Sequence, residues 1–292
     1  MVSMNTLANE KRCAVIHALV EGCSIRSIVR MTGVSKNTIM KLLVDIGRAC
    51  SQYQNETLRN LPCKRLQLDE IWSFVYSKAK NVPDDTKGEF GVGDVWTWTA
   101  ICADTKIVPS WLVSTRDASA AGEFVNDLAG RLANRVQLTT DGHKAYLSAV
   151  EDAFGCDVDY AMLVKQYGSP GVEEARRYSP ATCVGCEKEV ISGNPDKDHI
   201  STSYAERANL TMRMSMLRFT RLTNAFSKKV ENHAAAISLH FMYYNFVSRH
   251  QTLRMSPAMA AGVADHLWSV EEIVALLPEL KYDTRPEKKK SD

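Results

Sequence analysis

The 292-residue chain predicts an α/β domain preceded by an all-α amino-terminal unit. Three observations predict it. Over residues 1–52 apolar side chains recur with helical spacing between glycines, after Pro62 the texture turns strand-like, and strands and helices then follow one another in mixed order. At 45% hydrophobic and 24% charged, the chain can bury a real core, which excludes a disordered or fibrous protein.

Val15, Ile16, Leu19 and Val20 mark a first helix that ends at Gly22. Ser24 can cap a second through Ile25, Ile28 and Val29, and Gly33 breaks it. Ser35 caps a third, whose apolar face is Ile39, Leu42, Leu43 and Ile46. That arrangement is a helix-turn-helix unit over residues 1–52. Ser35, Lys36, Asn37, Thr38 and Lys41 then lie at the start and on the polar side of the third helix, where a recognition helix meets base edges and phosphates. A plain three-helix bundle with a polar surface is the alternative.

Residues 53–64 read as a linker, or as a helical extension ending at Pro62, and residues 65–260 as the α/β domain. Arg65 to Val75 is expected to be a strand, Val95 to Ala103 and Ile107 to Ser114 a strand pair, Ala120 to Leu132 an amphipathic helix, Val136 to Thr140 a strand and Lys144 to Phe154 a helix. Residues 168–198 have neither period and read as an inserted loop. Helical composition returns from Tyr204 to His250, and 261–292 is expected to be a carboxy-terminal helix and tail.

Charge is unevenly spread. Residues 1–60 hold eight basic and four acidic side chains, 61–200 fifteen and twenty-one, and 201–260 eight and two. Basic blocks on both sides of an acidic middle suit a polyanion gripped around a cluster of cation-binding carboxylates. No run of eighteen apolar residues occurs and no export signal opens the chain, so a cytoplasmic protein with no membrane partner is expected. The eight cysteines suit reduced thiols better than a disulfide framework. Cys183 and Cys186 form the one close pair, and zinc binding there, with His199 as a third ligand, is left open.

A carboxylate within a hydrophobic strand is costly unless it is paired, protonated or coordinated to a cation. Asp69 lies inside such a strand and Asp141 at the end of another. A third carboxylate from a helix packed across them completes a cage for two Mg²⁺ ions, with Mn²⁺ able to substitute. Glu206 and Glu231 compete for that place as the only acidic residues of the basic block, and Glu206 is preferred. It shares a helical face with Asn209, Leu210 and Arg213, so Arg213 can hold a phosphate, whereas Glu231 follows Lys228 and Lys229 and can simply pair with them. Arg218, Arg221, Lys228 and Lys229 are candidates for tracking a DNA backbone; His143 can contact a scissile phosphate or be an ordinary hydrogen-bonded histidine, and His233, His240 and the tryptophans are read as packing.

Three stretches together carry a likeness: Asp69-Glu70-Ile71-Trp72, then Thr140-Asp141-Gly142, then Tyr204-Ala205-Glu206-Arg207-Ala208-Asn209-Leu210 followed by the block from Arg218 to His233. In this order the sequence resembles the insertion-sequence transposases of the DDE class, and among them the bacterial insertion sequence one family, over residues 5–262. The resemblance implies an RNase H-like mixed sheet with flanking helices and a metal-binding catalytic triad of Asp69, Asp141 and Glu206. It also implies double-stranded DNA partners (terminal inverted repeats and target), a homodimer or larger synaptic assembly, and a bacterial, nucleoid-associated location. Members of that family often begin with a cysteine-rich zinc finger, which this chain lacks, and the interval from Asp141 to Glu206 requires 168–198 to loop out. The rival reading is a helix-turn-helix DNA-binding regulator with a non-catalytic second domain.

Overall fold

A computed structural model describes residues 7–168, 183–220 and 225–277. Helices α1 (Asn9–Val20), α2 (Ile25–Thr32) and α3 (Lys36–Thr57) open the chain. Their boundaries follow from local chemistry. Ser24 accepts a hydrogen bond from the Ser27 amide at 3.1 Å, Ser35 accepts from Thr38 at 3.2 Å, and Gly33 ends α2 at φ 68°. Ile28, Val34, Ile39, Leu43 and Ile46 form the buried stripe between the three helices.

The third helix runs through residues 53–57, which the sequence assigned to a linker, so the helical-extension alternative holds there. The connection that follows is not free either, since Leu58, Leu61 and Cys63 are buried and the Leu61 amide donates to the Arg131 carbonyl at 2.9 Å. Gln54 explains the extra turn. It is fully buried, donating to the Ser238 carbonyl and accepting from Asn245 Nδ2, both at 3.2 Å.

One six-stranded mixed sheet follows, built from β1 (Arg65–Val75), β2 (Gly93–Cys102), β3 (Trp111–Ser114), β4 (Val136–Asp141), β5 (Val158–Tyr167) and β6 (Cys183–Ser192). The spatial order is β3-β2-β1-β4-β5-β6. β1, β4 and β5 run parallel at the centre; β2, β3 and β6 are antiparallel to their neighbours. Helices α4 (Ala118–Ala129), α5 (Ala145–Phe154), α6 (Ser203–Ser215) and α7 (Val230–Met242) flank it, and α8 (Pro257–Ala260) and α9 (Val270–Ala275) close the described chain. The fold is α/β, and its strand order is compatible with an RNase H-like sheet.

Two expectations are corrected. Residues 183–192, expected within an inserted loop, form the edge strand β6, while 169–182 lie outside the described residues. An edge strand with almost every side chain exposed carries no apolar alternation, which is why its sequence reads as loop. The second strand of the expected pair is shorter than 107–114, because Asn245 takes over the pairing of Val108. Its side chain accepts from the Val108 amide and donates to the Val108 carbonyl, both at 3.0 Å.

The core is continuous from α1 through α3 and the sheet to α7 and α9. Helices α3 and α7 touch backbone to backbone at Gly47, where an added Cβ would stand 2.5 Å from Ala235 Cα. The amino-terminal helices are thereby fixed to the element behind the sheet.

Candidate metal centre

The site begins with parallel pairing at the middle of the sheet. The register that places Gln67 beside Thr139 carries Asp69 and Asp141 to equivalent positions two residues further along β1 and β4. One carboxylate oxygen each from Asp69, Glu70 and Asp141 lies within 4.8 Å of the others. Among the described residues this is the only group of three or more His, Cys, Asp or Glu side chains with metal-ligand spacing.

Each acid is held by a separate partner. Asp69 accepts from the Glu70 amide and from Asn209 Nδ2, both at 2.8 Å. Asp141 accepts from the His143 amide at 3.0 Å. Glu70 accepts from Arg116 at 3.2 Å, and the guanidinium also lies over the Trp96 ring, 4.7 Å from its centroid. Asn209 Oδ1 and His143 Nε2 are buried at the cluster and beside it without a hydrogen-bond partner, while the buried Tyr146 hydroxyl faces Glu70. Unsatisfied acceptors beside close carboxylates are the chemistry of a hard-cation site, whose ligands are oxygens. The residues present fit a divalent ion.

The electrostatics agree. Burial first, and then the neighbouring Asp141, push the Asp69 carboxyl up to about 6 and that of Glu70 up to about 7. A raised acid pKa means that the folded protein binds protons more tightly than the unfolded chain. Stability therefore falls as pH rises from about 4, the ordinary carboxylate value, through about 7. Without divalent ions the melting temperature should drop across that window, and millimolar Mg²⁺ or Mn²⁺ at pH 8 should restore it. Differential scanning fluorimetry with and without chelator reads both effects, and a flat, metal-insensitive profile would contradict this account of the cluster.

Helix α6 covers the cluster because β1 anchors its first turn. Gln67 Oε1 accepts from the Tyr204 and Ala205 amides at 2.7 and 3.2 Å, and Ala205, Ala208 and Met212 turn inward. Asn209, buried on the edge of that face, and the adjoining Glu206, Leu210 and Arg213 line, with Asp69, Glu70 and Arg207, a cleft of about 460 Å³. Glu206 accepts from Lys165 Nζ and Thr202 Oγ1, both at 2.5 Å, and adds to the rise in the Asp69 pKa. The structure thus brings Asp69 and Asp141 together and sets Glu206 on the wall of the same cleft, with Glu70 in the tight cluster. Glu231 instead pairs with Arg48 at an exposed position on α7.

Glu70, Arg116 and Asn209 were not singled out as site residues by sequence. Strand alternation aims Glu70 away from Asp69, which hid it, although two acids in an otherwise buried strand were a usable signal. Asn209 stood on the Glu206 face, and nothing local marked Arg116.

No protein-family model matches this sequence, and no curated protein matches it significantly.

Of the candidate DNA contacts, Ser35, Lys36, Asn37, Thr38 and Lys41 are all exposed along the first turns of α3, with Ser35 and Thr38 also joined at 2.9 Å in the cap. Lys228 and Lys229 are exposed. Arg218 is the correction. It turns inward to donate to Ser227 Oγ, and burial lowers its pKa to about 10, so it serves a buried polar network rather than a phosphate track. His233 belongs to that network, lying 3.0 Å from Ser73 and 3.3 Å from Ser227, and burial holds it neutral with a pKa of about 3. Arg221 lies outside the described residues. Cys183 and Cys186 are exposed with sulfurs 3.8 Å apart, and His199, the third ligand considered for zinc there, is bonded to Asp196 at 2.7 Å. No helix among the described residues is long and apolar enough to cross a membrane.

Substituting Lys36 or Lys41 with alanine should weaken DNA binding and shallow its logarithmic salt dependence by about 0.9 for each phosphate left without its cation. An unchanged slope in filter-binding titrations would remove that lysine from the interface.

Proposed function

We propose that this protein is a DNA transposase of the DDE class, cutting and joining phosphodiesters at the ends of a bacterial insertion sequence. The observation that carries this reading is the convergence of Asp69 and Asp141 from adjacent parallel strands, under a helix that presents Glu206 and Arg213 to the same cleft. Asp69, Glu70 and Asp141 would hold Mg²⁺ or Mn²⁺, with Glu206 at the cleft wall as a further carboxylate for a second ion. An ion held by these carboxylates would supply activation of a water or a 3′ hydroxyl and neutralisation of charge on the leaving oxygen.

The chain's own residues do the positioning. Asn209 and the Glu70 amide fix the Asp69 carboxylate, the His143 amide fixes Asp141, and Arg116 and the Tyr146 hydroxyl hold Glu70. Arg207 and Arg213 add positive charge along the cleft, where a scissile strand's phosphates would lie. Gln67 ties α6 to β1, so the two walls of the site keep one geometry. The first three helices, with Lys36 and Lys41 outward on α3, serve as the helix-turn-helix that grips the terminal repeats. Cleavage and strand transfer are both phosphoryl transfers, so one site serves both without a covalent enzyme intermediate.

The test is incubation of the purified protein with DNA bearing the flanking ends of its own gene, with and without Mg²⁺. New 3′ termini and joined products, dependent on the ion, support the reading. Binding without nicking would turn the assignment to a DNA-binding regulator, and nicking without joining to a nuclease.

A further inference from the structure

The edge strand β6 carries chemistry that the acidic cleft does not use. Cys183 and Cys186 are both exposed, and their sulfurs stand 3.8 Å apart. A register shift opposite Gln166 and Tyr167 leaves Val184 bulged out between them, bringing side chains three residues apart onto one spot. The separation is informative. A disulfide needs its sulfurs at about 2.05 Å, whereas two thiolates each about 2.3 Å from a tetrahedral zinc stand about 3.8 Å apart.

Two ligands make half a structural zinc site, and among the described residues no His, Cys, Asp or Glu joins the pair at ligand distance. The intervening residues 169–182 contain neither His nor Cys. A second copy of the chain can supply the other pair of thiolates. Among the described strands β6 is also the free edge of the sheet, and Val184, Val190 and Ile191 expose apolar surface along it, Val184 to 68%.

We propose that Cys183 and Cys186 form a zinc half-site completed by the same two cysteines of a second copy, clamping two chains edge to edge. A two-fold axis supplies the missing pair with the same spacing, giving four thiolates around one ion. Four S–H protons pass to solvent as four Zn–S bonds replace the ion's waters. Lys165, the cross-strand partner of Cys186, places positive charge beside the resulting dianionic centre. The same lysine holds Glu206, so the clamp would steady the β5 side of each cleft. The proposal does not rest on the transposase reading.

The experiment uses the full chain, purified with reductant after growth in zinc-supplemented medium, with elemental analysis and multi-angle light scattering. The expected result is one zinc per two chains in a dimer, with both the metal and the dimer lost in Cys183→Ser and in Cys186→Ser. Far-UV circular dichroism of both variants should match the parent, because the two side chains are exposed. Cobalt substitution should give the absorption of four-thiolate coordination. One zinc per chain on a monomer, zinc uptake unchanged by either substitution, a metal-free dimer that survives both, or a Cys183–Cys186 disulfide without zinc would each overturn the proposal.

Discussion

Asp69→Asn is expected to do two opposite things at once: to abolish metal-dependent nicking and to make the metal-free protein more stable. Loss of one electrostatic group at a reacting centre commonly costs about 10²- to 10³-fold in turnover, and a ligand shared with the bound ion belongs at the upper end. The stability gain follows from burial. Asp69 is packed beside Asp141 and Glu70, and its pKa of about 6 means that its charge at neutral pH is opposed by its surroundings. Asparagine keeps an acceptor for the Glu70 amide and removes that charge. In chelator at pH 8 the melting temperature should rise, and added Mg²⁺ should no longer raise it further. A variant that is inactive but also destabilised, with its response to Mg²⁺ intact, would show that Asp69 supports the fold and not the ion.

The two glutamates of the basic block separate next. Glu206→Gln should lose cleavage while keeping DNA binding, because Glu206 lines the cleft and loads Asp69 electrostatically, whereas the helices proposed to grip DNA lie at the other end of the chain. Glu231→Gln breaks only an exposed pair with Arg48, an interaction of about 0–1 kcal/mol, and should leave most of the activity. Nicking rates and gel shifts on the two variants side by side decide between them. The opposite ranking would move the third carboxylate to α7 and disconnect α6 from the chemistry.

What the sequence disclosed, and what it hid, follows from where each element sits. Capped helices were legible because Ser24, Ser35 and Gly33 act on their immediate neighbours. The face of α6 could be read from the spacing of Glu206, Asn209, Leu210 and Arg213, which all reach one cleft. Strand β6 could not, since an edge strand exposed along its length has no pattern to show. The last turn of α3 depends on Gln54 meeting Ser238 and Asn245, partners nearly two hundred residues away that no local signal reveals. Arg218 had the composition of a phosphate contact and the position of a core residue; only its approach to Ser227 distinguishes them. Glu70 shows the limit of alternation as a guide, because at the end of a parallel pair two successive acids can both approach a neighbour strand's terminus.

The distribution of unpaired polar atoms ties the site together. Asn209 Oδ1 is buried without a partner on α6 beside Asp69, and Glu70, on β1, has only Arg116 and the Tyr146 hydroxyl against its carboxylate. An unpartnered buried acceptor costs about 1–3 kcal/mol unless something fills it. A hydrated cation at the cluster would satisfy the Asn209 oxygen, and the cleft of about 460 Å³ has room for a phosphate beside it.

Isothermal titration of the chelator-treated protein with Mn²⁺ tests the central claim most directly, with Asp69→Asn and Asp141→Asn measured in parallel. Saturable uptake by the parent, lost or weakened at least tenfold in both variants while their fold persists, is the predicted result. Absence of uptake, or equal uptake by all three proteins, would contradict it.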